Sequence, residues 1–369
     1  MARRLWFVVH SWVGLKLSVL TSVVFVTGTL ATVAHDIDWL LNPDLRVGVE
    51  SKPIAWAEIA SAAQAAHPSW HIFLISAPYE PWFAAEVQGY TSAGERRRIY
   101  VNPYTAQVTG EGGWVNVHRV LRQTHRHLML PVKFGVPIVS IAAFVLILSI
   151  ATGVIVYRQW WRGFLRWPRT ASRRQFWGDM HRLLGVWSLG FGVVIGATGL
   201  WYAAEITGLD ARPPLLPRAQ AAPDGDYQTT TLSELLNTTR EAFSGLDIQH
   251  IRLPLKRGEP LIVEGYAQTI LVRPQANRVA LDPFTGEVLS IQYGEDLSVH
   301  QRVSEMADPL HFGTFGGFAS RLLYFVFGTV LSTLSLSGVY LYGMRAVKGI
   351  DHSKSAAVTT ALSSYARES

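Results

Sequence analysis

The 369-residue sequence contains no cysteine. That excludes a disulfide frame, an iron–sulfur cluster held by thiolates and a covalently attached c-type haem. Charge is scarce too: 33 Lys+Arg and 27 Asp+Glu make 16% of the chain, where an ordinary soluble domain carries about a quarter. No nucleotide or flavin fingerprint occurs, so a nicotinamide-dependent step would need a partner protein. What the chain has instead is apolar mass. Hydrophobic residues reach 49% and tryptophan occurs 13 times, which excludes intrinsic disorder. With no thiolate present, the 12 histidines are the strong nitrogen ligands open to a transition metal. The net charge of +6 is small and confined to short segments, which argues against nucleic acid as a partner.

Four apolar stretches, residues 6–34, 131–157, 177–204 and 318–344, are long enough to span a lipid bilayer, since about 30 Å of hydrocarbon takes roughly 20 helical residues. Each reads as a continuous helix. A cleaved leader is the rival for the first, because Arg3 and Arg4 precede it and Thr32-Val33-Ala34 resembles a cleavage site. The apolar core of a leader is only about 7–15 residues, so this stretch is read as an uncleaved span. Orientation follows from basic residues in short connections. Arg158, Arg162, Arg166, Arg169, Arg173 and Arg174 lie between the second and third spans, Arg3 and Arg4 precede the first, and Arg345, Lys348 and Lys354 follow the fourth. These groups share one side, expected to be the cytoplasm, and the two long connections then lie outside.

The chain also repeats itself. Trp6, His10, Gly14 and Gly28 match Trp177, His181, Gly185 and Gly199 at a constant offset, and Gly153 and Tyr157 match Gly338 and Tyr342 at another. Outside, Val101-Asn102-Pro103-Tyr104-Thr105 matches Leu281-Asp282-Pro283-Phe284-Thr285. Each half is a span, an external α+β domain and a second span, and the halves run parallel, related by an axis along the membrane normal. The expected layout is a first transmembrane helix at 1–34, an external domain at 35–112, an interfacial helix and second span at 113–157, and a basic loop at 158–176. It continues with a third span at 177–204, a second external domain at 205–299, a re-entry segment and fourth span at 300–344, and a tail at 345–369. Helices are expected at 56–66 and 232–243, and strands at 71–76, 83–87, 98–101, 248–253, 261–263, 269–272 and 278–281.

An ionisable residue inside a span is costly and marks function by default. His10 and His181 sit at equivalent repeat positions about one turn inside the cytoplasmic ends of their spans, and a twofold axis brings such positions together. Two imidazoles facing across a bundle suit bis-histidine ligation of haem iron. Gly14 and Gly28 on one span, and Gly185, Gly192, Gly196 and Gly199 on the other, form bare faces against which a flat macrocycle could lie. The plain alternative is close helix packing with histidines that merely bond across it. A second set lies toward the outer surface: His125 and His311 match within a residue or so, His118 matches His300, and His35 ends the first span. Interfacial anchoring competes with haem ligation there. Lys16 and Arg182 are open to pairing with a haem propionate or to snorkelling toward the interface. His67, His71, His250 and His352 read as surface residues.

His10-Ser11-Trp12-Val13-Gly14-Leu15, Thr27-Gly28, Thr198-Gly199, His125-Arg126-His127-Leu128-Met129-Leu130, Leu310-His311-Phe312-Gly313-Thr314-Phe315-Gly316-Gly317 and Asp282-Pro283-Phe284-Thr285-Gly286-Glu287-Val288-Leu289 together resemble the PepSY-associated transmembrane proteins. Within them, a single four-span chain with two PepSY domains is similar to FoxB-type siderophore reductases of the Gram-negative inner membrane. The resemblance implies an α-helical membrane protein with periplasmic α+β PepSY-like domains. It further implies two b-type haems held by His10, His181, His125 and His311, and reduction of a periplasmic ferric siderophore that releases Fe(II). Electrons would come from quinol or a cytoplasmic reductase. One departure is visible: Ala106 stands where the second turn motif has Gly286. Readings from other classes are a haem-free PepSY regulatory protein, which would be colourless, and electron transfer to another periplasmic acceptor. A siderophore permease would favour broken spans.

Overall fold

The computed structural model describes the backbone of residues 2–211, 215–220 and 230–368, and within these the side chains other than those of 2–3, 14–16 and 345–368. In chain order the helices and strands are α1 (Ala2–Lys16), α2 (Ser18–Thr32), α3 (Ala34–Leu41), α4 (Trp56–Ala66), β1 (His71–Ser76), β2 (Ala85–Tyr90), β3 (Arg96–Val101), β4 (Val108–Gly113), α5 (Val117–His127) and α6 (Val132–Val156). There follow α7 (Arg173–Trp187), α8 (Leu189–Ala204), α9 (Leu232–Ala242), β5 (Asp247–Arg252), β6 (Leu261–Tyr266), β7 (Asn277–Leu281), β8 (Val288–Gln292), α10 (Val299–Phe312) and α11 (Gly317–Glu368). They form two compact units, one helical (residues 1–30, 122–203 and 323–369) and one built on a sheet (residues 31–121 and 204–322).

Among the described residues, Val132–Val156, Leu189–Leu209 and Thr314–Met344 are each long and apolar enough to cross a membrane. The pair Arg4–Val13 and Ser18–Thr32 makes a fourth if counted as one span, but it is bent by 64°. The first stretch is therefore not the straight helix its hydropathy suggests. The third is interrupted only at Ser188, where the backbone bonds from Ser188 to Leu184 and from Gly192 to Ser188 carry the helical path through. The two breaks, at Leu17 and Ser188, are separated by the same offset as His10 and His181. Lipid-like surroundings give helices no hydrophobic reason to associate, so small residues and hydroxyl pairs hold them. Ser22 bonds Ser335 at 2.9 Å and Thr29 bonds Ser332 at 3.0 Å, joining α2 to α11.

The sheet unit carries eight antiparallel strands in the order β4-β3-β2-β1-β5-β6-β7-β8. The helix-then-four-strands sequence occurs twice, and the halves meet where Leu74, Ile75 and Ser76 pair with Arg252, Ile251 and His250. The two external domains expected separately thus share one sheet. Register aligns Ile99, Val87, Ile75, Ile251, Val263 and Val279 in one row across six strands. All six are fully buried beneath α4 and α9, as β-branched residues on the inner face of a pleat should be. Position 269–272, expected as a strand, is irregular and holds Leu271 at φ 55°. The glycine-rich β4 and the short β8 were not expected. The two Asx turns before β4 and β8 are built alike: the Asn102 and Asp282 side chains accept from the amides of Tyr104 and Phe284. Gly286 takes φ 73° there and Ala106 is forced to φ 58°, a region that costs a residue with a Cβ roughly 1–2 kcal/mol.

The opposite face of the sheet is polar, and His250 lies on it at the seam. It is half-buried and its Nδ1 lies 3.1 Å from Ser76 Oγ, so it is not the surface residue that its sequence context suggests. Burial, and then the charge of Arg252, lower its pKa from 6.5 to about 4. A depressed pKa means that the unfolded chain takes up the proton first, so this group's contribution is complete above pH 6.5 and lost as pH falls toward 4. Protection factors of the sheet amides, with the slowing of intrinsic exchange removed, should fall as pH drops across that window, and His250→Gln, which keeps a partner for Ser76, should flatten the dependence.

Candidate functional site

The site is assembled by four helices of the helical unit. His10 projects from α1 and its Nδ1 lies 2.9 Å from Thr152 Oγ1 on α6. His181 projects from α7 and its Nδ1 lies 2.9 Å from Ser337 Oγ on α11. The two rings stand with centroids 6.4 Å apart and planes at 77°. Gly153 and Gly338, the residues after the two hydroxyls, face the rings, and a Cβ there would meet Cε1 of His10 and His181 at 3.6 and 3.5 Å. Sequence reasoning found both histidines and both glycines but not Thr152 and Ser337. The signal was present: a hydroxyl residue precedes each of the two matched glycines.

Both imidazoles open into a cavity of about 970 Å³. Its walls are apolar, with Phe7, Phe25, Leu146, Leu189 and Leu331 among them; Arg4, Arg174 and Arg182 also line it, and among the described residues no carboxylate does. Such a chamber suits a large, flat, apolar molecule with an anionic edge. Among the described residues no group of three or more His, Asp or Glu could hold a bare metal ion. Two imidazoles therefore need a group that brings the rest of the coordination sphere. Their 6.4 Å spacing is close to what one metal between two rings requires, roughly 6 Å from a bond of about 2 Å on each side plus the ring radii. The donor set fits haem b.

The rim has its own order. Arg182 forms an ion pair with Asp179, and Arg169 donates to the same buried carboxylate from its backbone nitrogen at 3.1 Å and its Nε at 2.9 Å. Arg182 is thus anchored by Asp179 while lining the cavity, which removes snorkelling as its main role. The side chains of Lys16 and His352 lie outside the described residues, and so do the surroundings of Gly14. The glycine faces divide their work. Gly185 and Gly192 line the cavity, but a Cβ at Gly196 or Gly199 would meet Ile147 at 2.5 Å or Ala143 at 2.9 Å. Those two glycines serve close approach of α8 to α6 and do not face a macrocycle.

The outer histidines are distributed differently from the paired expectation. His125 on α5 lies against α2, with its Nδ1 2.8 Å from the Val24 carbonyl. A carbonyl only accepts, so Nδ1 carries the proton. Gly28 makes the space, because a Cβ there would sit 2.6 Å from His125 Cε1. Gly28 therefore belongs to His125 and not to a shared face with His10.

His118 and His35, in the sheet unit, stack at 3.9 Å, and His35 in turn lies 4.1 Å from the Tyr79 ring. Arg321 covers Tyr79 at 4.2 Å and pairs with Asp36 at 3.4 Å and Glu80 at 2.5 Å. Asp38 caps α5, accepting from the amides of Val117 and His118 at 2.8 and 3.0 Å. Burial raises the Asp38 pKa, and these amides and Arg98 partly offset that. His311 occupies the last turn of α10, which stops at Gly313 with φ 70°, and its ring meets Phe312 edge-on at 5.6 Å. His300 Nε2 bonds the Leu209 carbonyl at 2.7 Å. The structure brings together His10 with His181, and His35 with His118. His125 and His311 fall in different units.

A chain with apolar spans, an antiparallel sheet unit and this histidine pair defines a class of membrane protein. The model of the PepSY-associated TM region matches residues 7–345, and the chain belongs to that family. No curated protein matches the sequence.

Gly28→Ala should push the His125 ring from its slot. Overpacking of this kind costs about 1–3 kcal/mol. The variant should melt earlier, and His125 should become reactive to diethyl pyrocarbonate in peptide mapping, with unchanged reactivity counting against the close packing.

Proposed function

We propose that this protein is an inner-membrane, haem-dependent oxidoreductase that passes electrons outward to a ferric siderophore in the periplasm. The observation that carries this reading is the paired-histidine cavity: two imidazoles at a ligating distance in an apolar chamber lined also by Arg4, Arg174 and Arg182. His10 and His181 would hold the iron of one haem b, and Arg4, Arg174 and Arg182 its anionic edge. A second haem, nearer the periplasm, would draw its ligands from among His125, His311, His118 and His35. When bound, haem supplies reversible one-electron chemistry between its ferric and ferrous states.

The remaining functions belong to the chain. The apolar walls exclude water, which keeps the rim charges effective. The arginine-rich connection 158–176 supports a cytoplasmic position for that loop, and hence cytoplasmic termini and a periplasmic sheet. The two matching offsets, in His10/His181 and in Thr152/Ser337, support four spans arranged as two parallel repeats, each with a PepSY-like half. The resemblance to FoxB-type reductases points to a ferric hydroxamate as substrate. Quinol or a cytoplasmic reductase would supply the electrons. One electron converts chelated Fe(III) to Fe(II), which hard oxygen donors hold less tightly, so the metal is released.

The purified protein should contain about two non-covalent haems per chain in a pyridine haemochrome assay. His10→Ala and His181→Ala should each lose the same one. Once reduced with dithionite and freed of excess, the protein should be reoxidised by ferric hydroxamate and yield Fe(II) to a ferrous chelator. A colourless protein would favour the regulatory reading, and haems unaffected by any ferric chelate would favour another periplasmic acceptor.

A further inference from the structure

We infer that Thr152 and Ser337 are positioning residues that decide which ring nitrogen of His10 and His181 carries the proton. The inference rests on the haem reading above and names what prepares its ligands. A hydroxyl has one hydrogen to donate. Thr152 Oγ1 donates it to the Leu148 carbonyl at 2.7 Å, and Ser337 Oγ donates its own to the Leu334 carbonyl at 2.8 Å. Neither hydroxyl has a hydrogen left for the imidazole. Each must therefore accept, so His10 and His181 donate from Nδ1–H across 2.9 Å.

With the proton fixed on Nδ1, the lone pair is fixed on Nε2, the nitrogen left to face the cavity. A histidine cannot ligate through a protonated nitrogen, so this tautomer is the one a metal requires. Free imidazole exchanges tautomers readily, and without the hydroxyls the chain would have to select the tautomer at each binding event. The second observation is the duplication of the device. Thr152 stands to His10 as Ser337 stands to His181, each followed by the glycine that faces the ring. Donation to the helix's own carbonyl is common to hydroxyls in spans; what recurs here at matching positions is the second contact, a ring Nδ1 at 2.9 Å in both cases. The acceptor is also neutral, so it orients each ring without drawing the Nδ1 proton away as a carboxylate would.

The test uses the full-length chain. Nitrogen-15 NMR of histidine-labelled protein, prepared without haem, should show His10 and His181 as Nδ1–H tautomers. Thr152→Val and Ser337→Ala should each turn the facing histidine into a tautomer mixture, whereas Thr152→Ser and Ser337→Thr should keep a single form. In haem titrations the Val and Ala variants should bind about 10- to 100-fold more weakly, the range for lost partners of a ligating histidine. The midpoint potential should rise, because a less basic imidazole favours ferrous iron, while the conservative variants stay near the parent. Mixed or Nε2–H tautomers in the unaltered protein would overturn the inference, whether or not haem binds. An unaltered Nδ1–H signature in Thr152→Val and Ser337→Ala would overturn it as well. Nδ1–H rings that respond to the substitutions in a protein that takes up no haem would sustain the positioning role and defeat the haem reading alone.

Discussion

An imidazole buried among apolar helices must hydrogen-bond through at least one ring nitrogen, because a buried polar group without a partner costs about 1–3 kcal/mol. That requirement organises the helical unit. His10 on α1 finds its acceptor on α6, and His181 on α7 finds its acceptor on α11, so each histidine ties together two helices remote in sequence. The hydroxyl pairs between α2 and α11 add further ties of the same kind. Helices that lipid would leave indifferent to one another are held in a fixed order, and the cavity exists because they are.

The same logic governs the sheet unit with charges in place of imidazoles. Arg321, at 2% exposure, is neutralised by Asp36 and Glu80, which come from segments remote in sequence, and its guanidinium covers Tyr79. A buried cation without such partners would destabilise the fold by several kcal/mol. The stack of His118, His35 and Tyr79 beneath it is thereby held in one arrangement, and Asp38 fixes the start of α5 above it. Polar groups in both units are thus bound to distant parts of the chain.

Much of this was legible in the residues. His10 and His181 stood out because ionisable groups inside spans are costly, and their matching neighbours told of a repeated plan. The helices Trp56–Ala66 and Leu232–Ala242 followed from the sequence pattern, and in the second the structure adds a capping box at Thr231. Glycine was the residue most easily misread. It announces only that something comes close: at Gly28 that is the His125 ring, at Gly196 and Gly199 it is α6, and at Gly185 the cavity. Strand β4 escaped notice because its three glycines lack β propensity and only pairing with β3 makes it a strand. His250 looked exposed because its half-burial comes from a partner strand that no local pattern reveals. Thr152 and Ser337 were hidden for a related reason, since a hydroxyl within a span usually bonds its own backbone and only geometry shows the second bond.

The junction of β1 with β5 sets the order in which the molecule can be made. Ser76 and His250 are 174 residues apart, and α6, α7 and α8 lie between them in the chain. During synthesis the first four strands must wait with β1 as a bare edge while those helices are threaded past, and an open strand edge is a template for unwanted pairing. Chain closure over such a distance is slow. Residues 1–157 alone therefore make a poor independent fragment, because β5, the partner of β1, begins only at Asp247.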